Sequence, residues 1–261
     1  MRAAVNAIQS LTAEEKSKGV VTHSSGNFGQ AVALAARDIG IEANIVMPEN
    51  APAVKVNAVK HYGGKITFSE STLKAREHTA KTIVQERGAR FLHPSNQIEV
   101  ILGNATAAME LLVDHSDLDL VVVPVGGGGL LAGTALAVNY LGSNTRVIGG
   151  EPLEVDDAYR SIKSGKIEFN ETTNTIADGL RTNLGDVNFP IIKELVSDIV
   201  LVSEEEIVFA MKLIWERMRL VVEPSSAVAL AAIFKVKERF NGKKIGVIIS
   251  GGNVDLKKLP F

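Results

Sequence analysis

Apolar residues fall into two rhythms along this chain. Short unbroken runs rich in valine and isoleucine stand at 19–22, 43–47 and 65–68, and each is followed by a longer stretch of helical character, at 29–37, 52–61 and 73–87. Unbroken β-branched runs read as strands buried on both faces, and strands alternating with helices read as a parallel sheet covered on both sides. A further helix is predicted at 101–112, and a second series of strands at 120–125, 146–150, 198–202 and 244–250. The predicted fold class is α/β. It divides into a smaller lobe at 19–96 and a larger lobe formed by 1–18 and 97–261, with a cleft between them. Residues 164–184, polar and rich in Thr and Asn, are predicted as loop.

Three of these strands run into polar turns. The strand at 120–125 discharges into Gly126, Gly127, Gly128 and Gly129, then Leu130, before a helix predicted over 131–140. With no Cβ in the way, successive backbone N–H groups can converge on an anion, and the helix adds the positive end of its dipole. A tight strand-to-helix turn is the plainer reading of two glycines; four in a row point to a phosphate. The spaced G-x-G-x-x-G of a dinucleotide fold is not present. Ser24, Ser25, Gly26 and Asn27 follow the first strand, and Ser250, Gly251, Gly252 and Asn253 follow the last. Singly, Ser24, Ser25 or Ser250 reads as a helix N-cap. Together, at the carboxyl ends of parallel strands, the three turns predict one ligand cleft.

Composition narrows the guest. With 46% hydrophobic and 22% charged residues the chain is an ordinary globular one, and its 261 residues suffice for a sizeable core. A net charge of −2 supplies no basic footprint for nucleic acid. No apolar run approaches the roughly 20 residues of a membrane span, and no secretory signal opens the chain, so a cytoplasmic location is expected. The absence of cysteine excludes disulfides, thiol nucleophiles and thiolate metal sites.

The three turns, in this order and spacing, resemble those of the fold-type II pyridoxal-phosphate enzymes (tryptophan synthase β-like), within them the serine racemase and serine/threonine dehydratase group. Val222-Glu223-Pro224, Trp215-Glu216-Arg217-Met218 and Thr175-Ile176-Ala177-Asp178-Gly179 extend the resemblance over essentially the whole chain. It implies pyridoxal phosphate as cofactor, a small amino acid as substrate and a homodimer. Gly126, Gly127, Gly128, Gly129 and the Leu130 amide would hold the phosphate; Asn27 would bond the 3′-oxygen; Gly179 and Glu223 would line the cofactor. Glu223 reads equally as a buried, paired structural carboxylate. Ser250 would face the pyridine nitrogen. Ser24, Ser25 and Gly26 would grip the substrate carboxylate with Arg76 nearby, although Arg76 also reads as a solvated helix charge. Ser25 would be the second acid/base, opposite the family's lysine, and this double serine tilts the reading toward racemisation.

The cluster Glu151-Pro152-Leu153-Glu154-Val155-Asp156-Asp157 reads on its own as acids complementing a helix N-terminus. The resemblance implies instead an Mg²⁺ or Ca²⁺ site on Glu151, the Val155 carbonyl and Asp157, all oxygen donors. The chain opens Met1-Arg2-Ala3-Ala4, which aligns just after the family's Schiff-base lysine. That lysine and the segment before it are therefore expected to lie ahead of Met1. The resemblance leaves two expectations: a dehydratase or racemase of hydroxy amino acids, or a noncatalytic fragment that keeps the phosphate cradle.

Overall fold

The computed structural model describes residues 1–24, 26–142 and 144–261. These group into two compact units, Met1–Gly103 and Asn104–Phe261. Each holds a four-stranded parallel sheet flanked by helices, the predicted α/β class.

The first unit runs α1 (Arg2–Gln9), α2 (Ala13–Lys18), β1 (Val20–Thr22), α3 (Asn27–Asp38), β2 (Ala43–Pro48), α4 (Ala53–His61), β3 (Lys65–Ser69), α5 (Leu73–Arg87) and β4 (Arg90–Phe91). The sheet order is β3-β2-β1-β4, with Val20 opposite both Ala43 and Arg90. Residues 1–18, placed with the larger lobe on sequence grounds, pack here with the first unit. The apolar face of α1 (Ala3, Ala4, Ala7 and Ile8) shares a core with Ala31, Val32, Ala35 and Ile45. Helix α6 (Ile98–Asp114) approaches α1 so closely at Gly103 that a Cβ there would lie 2.6 Å from the Ala3 Cα.

The second unit continues from α6 through β5 (Leu120–Pro124), α7 (Gly129–Leu141), β6 (Arg146–Pro152), α8 (Asp157–Ser164), α9 (Asn188–Leu195) and β7 (Asp198–Val202). It ends with α10 (Glu204–Leu213), α11 (Pro224–Lys235) and β8 (Ile245–Val247). The sheet order is β7-β6-β5-β8. Its core joins Val122, Ile148, Val200, Met211 and Val228. The last strand is shorter than the predicted 244–250 for a local reason. The Ile248 N–H still bonds the Val122 carbonyl, but the Ser250 and Gly251 N–H groups turn to the Ser226 hydroxyl, 2.8 and 3.4 Å away. Between α8 and α9 the chain forms only one 3₁₀ turn, Asp178–Leu180, pinned where Glu204 accepts from the Thr175 hydroxyl and the Ile176 N–H, each at 2.7 Å. Among the described residues no helix is long and apolar enough to cross a membrane.

Candidate active site

The glycine turn is built as an anion cradle. Strand β5 closes with the Val125 N–H on the Gly150 carbonyl at 2.8 Å, and the chain then turns through Gly126 and Gly127 to Gly128, the left-handed N-cap of α7 (φ +82°). The N–H groups of Gly126, Gly127, Gly128, Gly129 and Leu130 meet no acceptor among the described residues, and the four glycines are buried. Buried N–H groups left unpaired are costly unless something accepts from them. A dianionic phosphate at the head of a 13-residue helix is such an acceptor.

Side chains cannot intrude. A Cβ on Gly126 would lie 2.7 Å from the Leu180 Cα, and one on Gly128 would lie 2.6 Å from Leu184 Cδ2 and 2.7 Å from Asn188 Oδ1. Asn188 has no sequence signature, yet it orients the cradle. Fully buried, it donates from Nδ2 to the Gly127 carbonyl at 2.8 Å and accepts the Gly185 N–H at 3.1 Å. Because C=O and the next N–H point oppositely across a planar peptide, holding the Gly127 oxygen aims the Gly128 N–H the other way.

Ser250 lies three residues beyond the shortened β8 strand, exposed, its N–H on Ser226 and its hydroxyl unpartnered among the described residues. The neighbouring Gly251 carbonyl accepts the Glu223 N–H at 3.1 Å, joining this turn to the head of α11, where Glu223 is the buried N-cap residue. Gly179 donates to Ser225 Oγ at 3.0 Å from the same helix head. Gly126 thus faces Leu180 and the Gly179 carbonyl, Gly179 bonds the α11 head, and the α11 head bonds Gly251; one unit brings together the cofactor residues predicted at 126–130, 179, 223 and 250.

The other predicted turn belongs to the first unit. Beyond β1, Ser24 Oγ accepts the Gly26 N–H at 3.4 Å, Gly26 is the N-cap of α3, and Asn27 is its first residue. The Ser24 carbonyl folds over α3 so tightly that a Cβ on Gly29 would lie 2.1 Å from it. Ser25 lies outside the described residues. Arg76 is not a solvated helix charge: it is half-buried, and its Nη1 donates to the His23 carbonyl at 3.4 Å. Its Nε is buried without a partner among the described residues, and burial lowers its pKa.

Glu151 and Asp157 are both fully buried. Glu151, at the end of β6, accepts the N–H groups of Ala158 (2.9 Å) and Tyr159 (2.8 Å), so it caps α8 as the plainer reading expects. Asp157 accepts from Asn170 Nδ2 at 2.6 Å and the Leu184 N–H at 3.0 Å. Burial, then the Asp157 charge, pushes the Glu151 carboxyl well above its usual range; burial lifts Asp157 to about 6. The neighbouring Arg160 is committed to Asp156 at 2.7 Å. Among the described residues no three acidic or histidine side chains gather as a metal cluster. Two buried carboxylates with oxygen lone pairs to spare nonetheless fit a hard cation.

With this geometry, the chain belongs to the pyridoxal-phosphate dependent enzyme family, which matches residues 1–251. It is 49% identical over 263 aligned positions to serine racemase of Dictyostelium discoideum, covering 99% of this chain and 81% of that protein. It is 48% identical over 261 positions to β-hydroxyaspartate dehydratase of Paracoccus denitrificans, covering 100% of this chain and 83% of the relative. The solved structure of maize serine racemase superposes with a TM-score of 0.95 at 46% identity, covering 98% of this chain and 79% of that one. These relatives are named as enzymes and lend no support to the noncatalytic alternative. The cradle, with five N–H groups unpaired among the described residues and no room for a Cβ at Gly126 or Gly128, fits the phosphate of the family's cofactor.

Proposed function

We propose that this protein removes the Cα proton of a 3-hydroxy amino acid such as serine, threonine or 3-hydroxyaspartate, and then either returns a proton to the other face or expels the β-hydroxyl as water, giving ammonia and a 2-oxo acid after hydrolysis of the resulting imine. The observation that carries this reading is the unpaired N–H cradle after β5, with the exposed Ser250 hydroxyl after the adjacent strand β8 of the same sheet. When bound, pyridoxal phosphate draws electrons from the substrate Cα. A hydroxyl at the ring nitrogen holds a proton there less firmly than a carboxylate, which favours elimination and proton exchange over transamination. Gly126, Gly127, Gly128, Gly129 and the Leu130 amide would hold the phosphate, Asn27 the 3′-oxygen, and Gly179 and Glu223 would line the ring.

Ser24 and Gly26 bind the substrate carboxylate, and Arg76 braces their loop through the His23 carbonyl. Ser25 gives and takes the proton on one face; in the family a lysine serves the other. A divalent cation, Mg²⁺ or Ca²⁺, on Glu151, the Val155 carbonyl and Asp157 neutralises that buried pair and steadies the start of α8.

Ser25→Ala in the pyridoxal-phosphate holoenzyme tests the division of labour. Racemisation of L-serine is expected to fall by about 10²-fold or more, the scale of a lost acid/base group, while dehydration is largely kept. Loss of both activities together, or of neither, contradicts the assignment.

A further inference from the structure

We infer that Ser226 is a positioning residue for the cofactor ring: its buried hydroxyl turns the chain after β8 and so sets where the Ser250 hydroxyl stands. The inference rests on the reading that Ser250 meets the ring nitrogen of pyridoxal phosphate.

Strand β8 runs parallel to β5, with Leu120 opposite Ile245 and Val122 opposite Val247. The Ile248 N–H lies on the Val122 carbonyl at 3.0 Å, so the next rung would take the Ser250 N–H to the Pro124 carbonyl. Among the described residues that rung is not made. Pro124 has no N–H to return to the β8 side, and the Ser250 N–H goes instead to Ser226 Oγ at 2.8 Å, with the Gly251 N–H on the same oxygen at 3.4 Å. In a strand, successive N–H groups point to opposite sides, so two consecutive ones on one oxygen bend the chain out of the sheet. Ser250 is left exposed by this bend.

Ser226 is the third residue of α11, after Pro224 and Ser225, and is fully buried. A hydroxyl buried there is costly unless it is bonded. Ser225 Oγ accepts the Gly179 N–H at 3.0 Å, and Ser226 Oγ takes both N–H groups of the 250–251 turn, so the two serines tie separate cofactor turns to one helix head. A further tether, the Glu223 N–H on the Gly251 carbonyl at 3.1 Å, does not involve Ser226. Removing the Ser226 oxygen therefore leaves the turn attached but frees the Ser250 N–H for the Pro124 carbonyl, and the Ser250 hydroxyl shifts with it.

Fluorescence titration with pyridoxal phosphate and with its deaza analogue, in which C–H replaces the ring nitrogen, tests this without turnover. The unaltered chain is expected to prefer pyridoxal phosphate by about fivefold or more, the scale of one hydrogen bond, and Ser250→Ala to lose that preference. Ser226→Ala is expected to lose it too, with affinity for the deaza analogue and the far-UV spectrum unchanged; a general loosening of the site would weaken both compounds alike. Ser226→Cys, close in size but with a weakly accepting sulfur, is expected to lower the preference as well. Equal binding of the two compounds by the unaltered chain, or a preference that survives Ser250→Ala, overturns the Ser250 reading and this inference with it. A preference lost in Ser250→Ala but kept in both Ser226 variants overturns this inference alone.

Discussion

His23 closes strand β1 with 6% of its surface exposed, and its imidazole is held down to about 4 from an ordinary 6.5. Burial is the main cause, followed by the neighbouring His93 and Arg76. Above pH 6.5 the ring is neutral folded or unfolded, and its contribution is complete. As pH falls from 6.5 toward 4 the unfolded chain takes up the proton and the folded one does not, so stability is lost. At pH 5 the loss is about 2 kcal/mol relative to pH 7.5, read from urea midpoints, and His23→Gln flattens this slope. An unchanged slope in the variant contradicts a neutral buried His23. Turns were legible in the sequence where a local motif announces them, as for Gly126 to Gly129 after β5 and Ser250 after β8. Asn188 was not, because its partner Gly127 is 61 positions away and only folding brings them together. Arg76 was half legible: its type was visible, but its burial against the His23 carbonyl was not.

At the scale of elements, legibility followed the strength of local signals. Helix α5, predicted at 73–87, forms over Leu73–Arg87 because Thr72 caps the Ala75 N–H and Gly88 turns left-handed at the end. Strand β4 spans two residues, too short for any periodicity, and exists because Val20 and Val21 of β1 pair with it. The contacts of α1 with α3 depend on alanines, and its close approach to α6 depends on Gly103, neither of which hydrophobic patterning encodes. Strand β6 and helix α8 meet at the Glu151 and Asp157 pair, where two buried carboxylates repel. Millimolar Mg²⁺ is therefore expected to raise the melting temperature by several degrees, since a ligand at 100 times its Kd adds about 2.7 kcal/mol. Excess chelator is expected to reverse it and Asp157→Asn to abolish it. A melting temperature indifferent to Mg²⁺ and Ca²⁺ removes the cation from this place.

Over the whole molecule, alternating strands and helices announced an α/β chain, and two parallel sheets carry it out. Within each sheet, parallel order places the strand ends on one edge, and in the second unit this brings the turns after β5 and β8 to the same edge. The central claim is that the turn after β5 binds the cofactor through its phosphate. Fluorescence titration of this chain with pyridoxal phosphate and with pyridoxal, which lacks only the phosphate, tests it most directly. Pyridoxal phosphate is expected to bind at least about 10²-fold more tightly, as several charge-assisted N–H bonds require. Gly128→Ala, whose Cβ would lie 2.6 Å from Leu184 Cδ2 at a φ of +82°, is expected to remove that advantage. Equal affinities for the two compounds, or an advantage that survives Gly128→Ala, would contradict it.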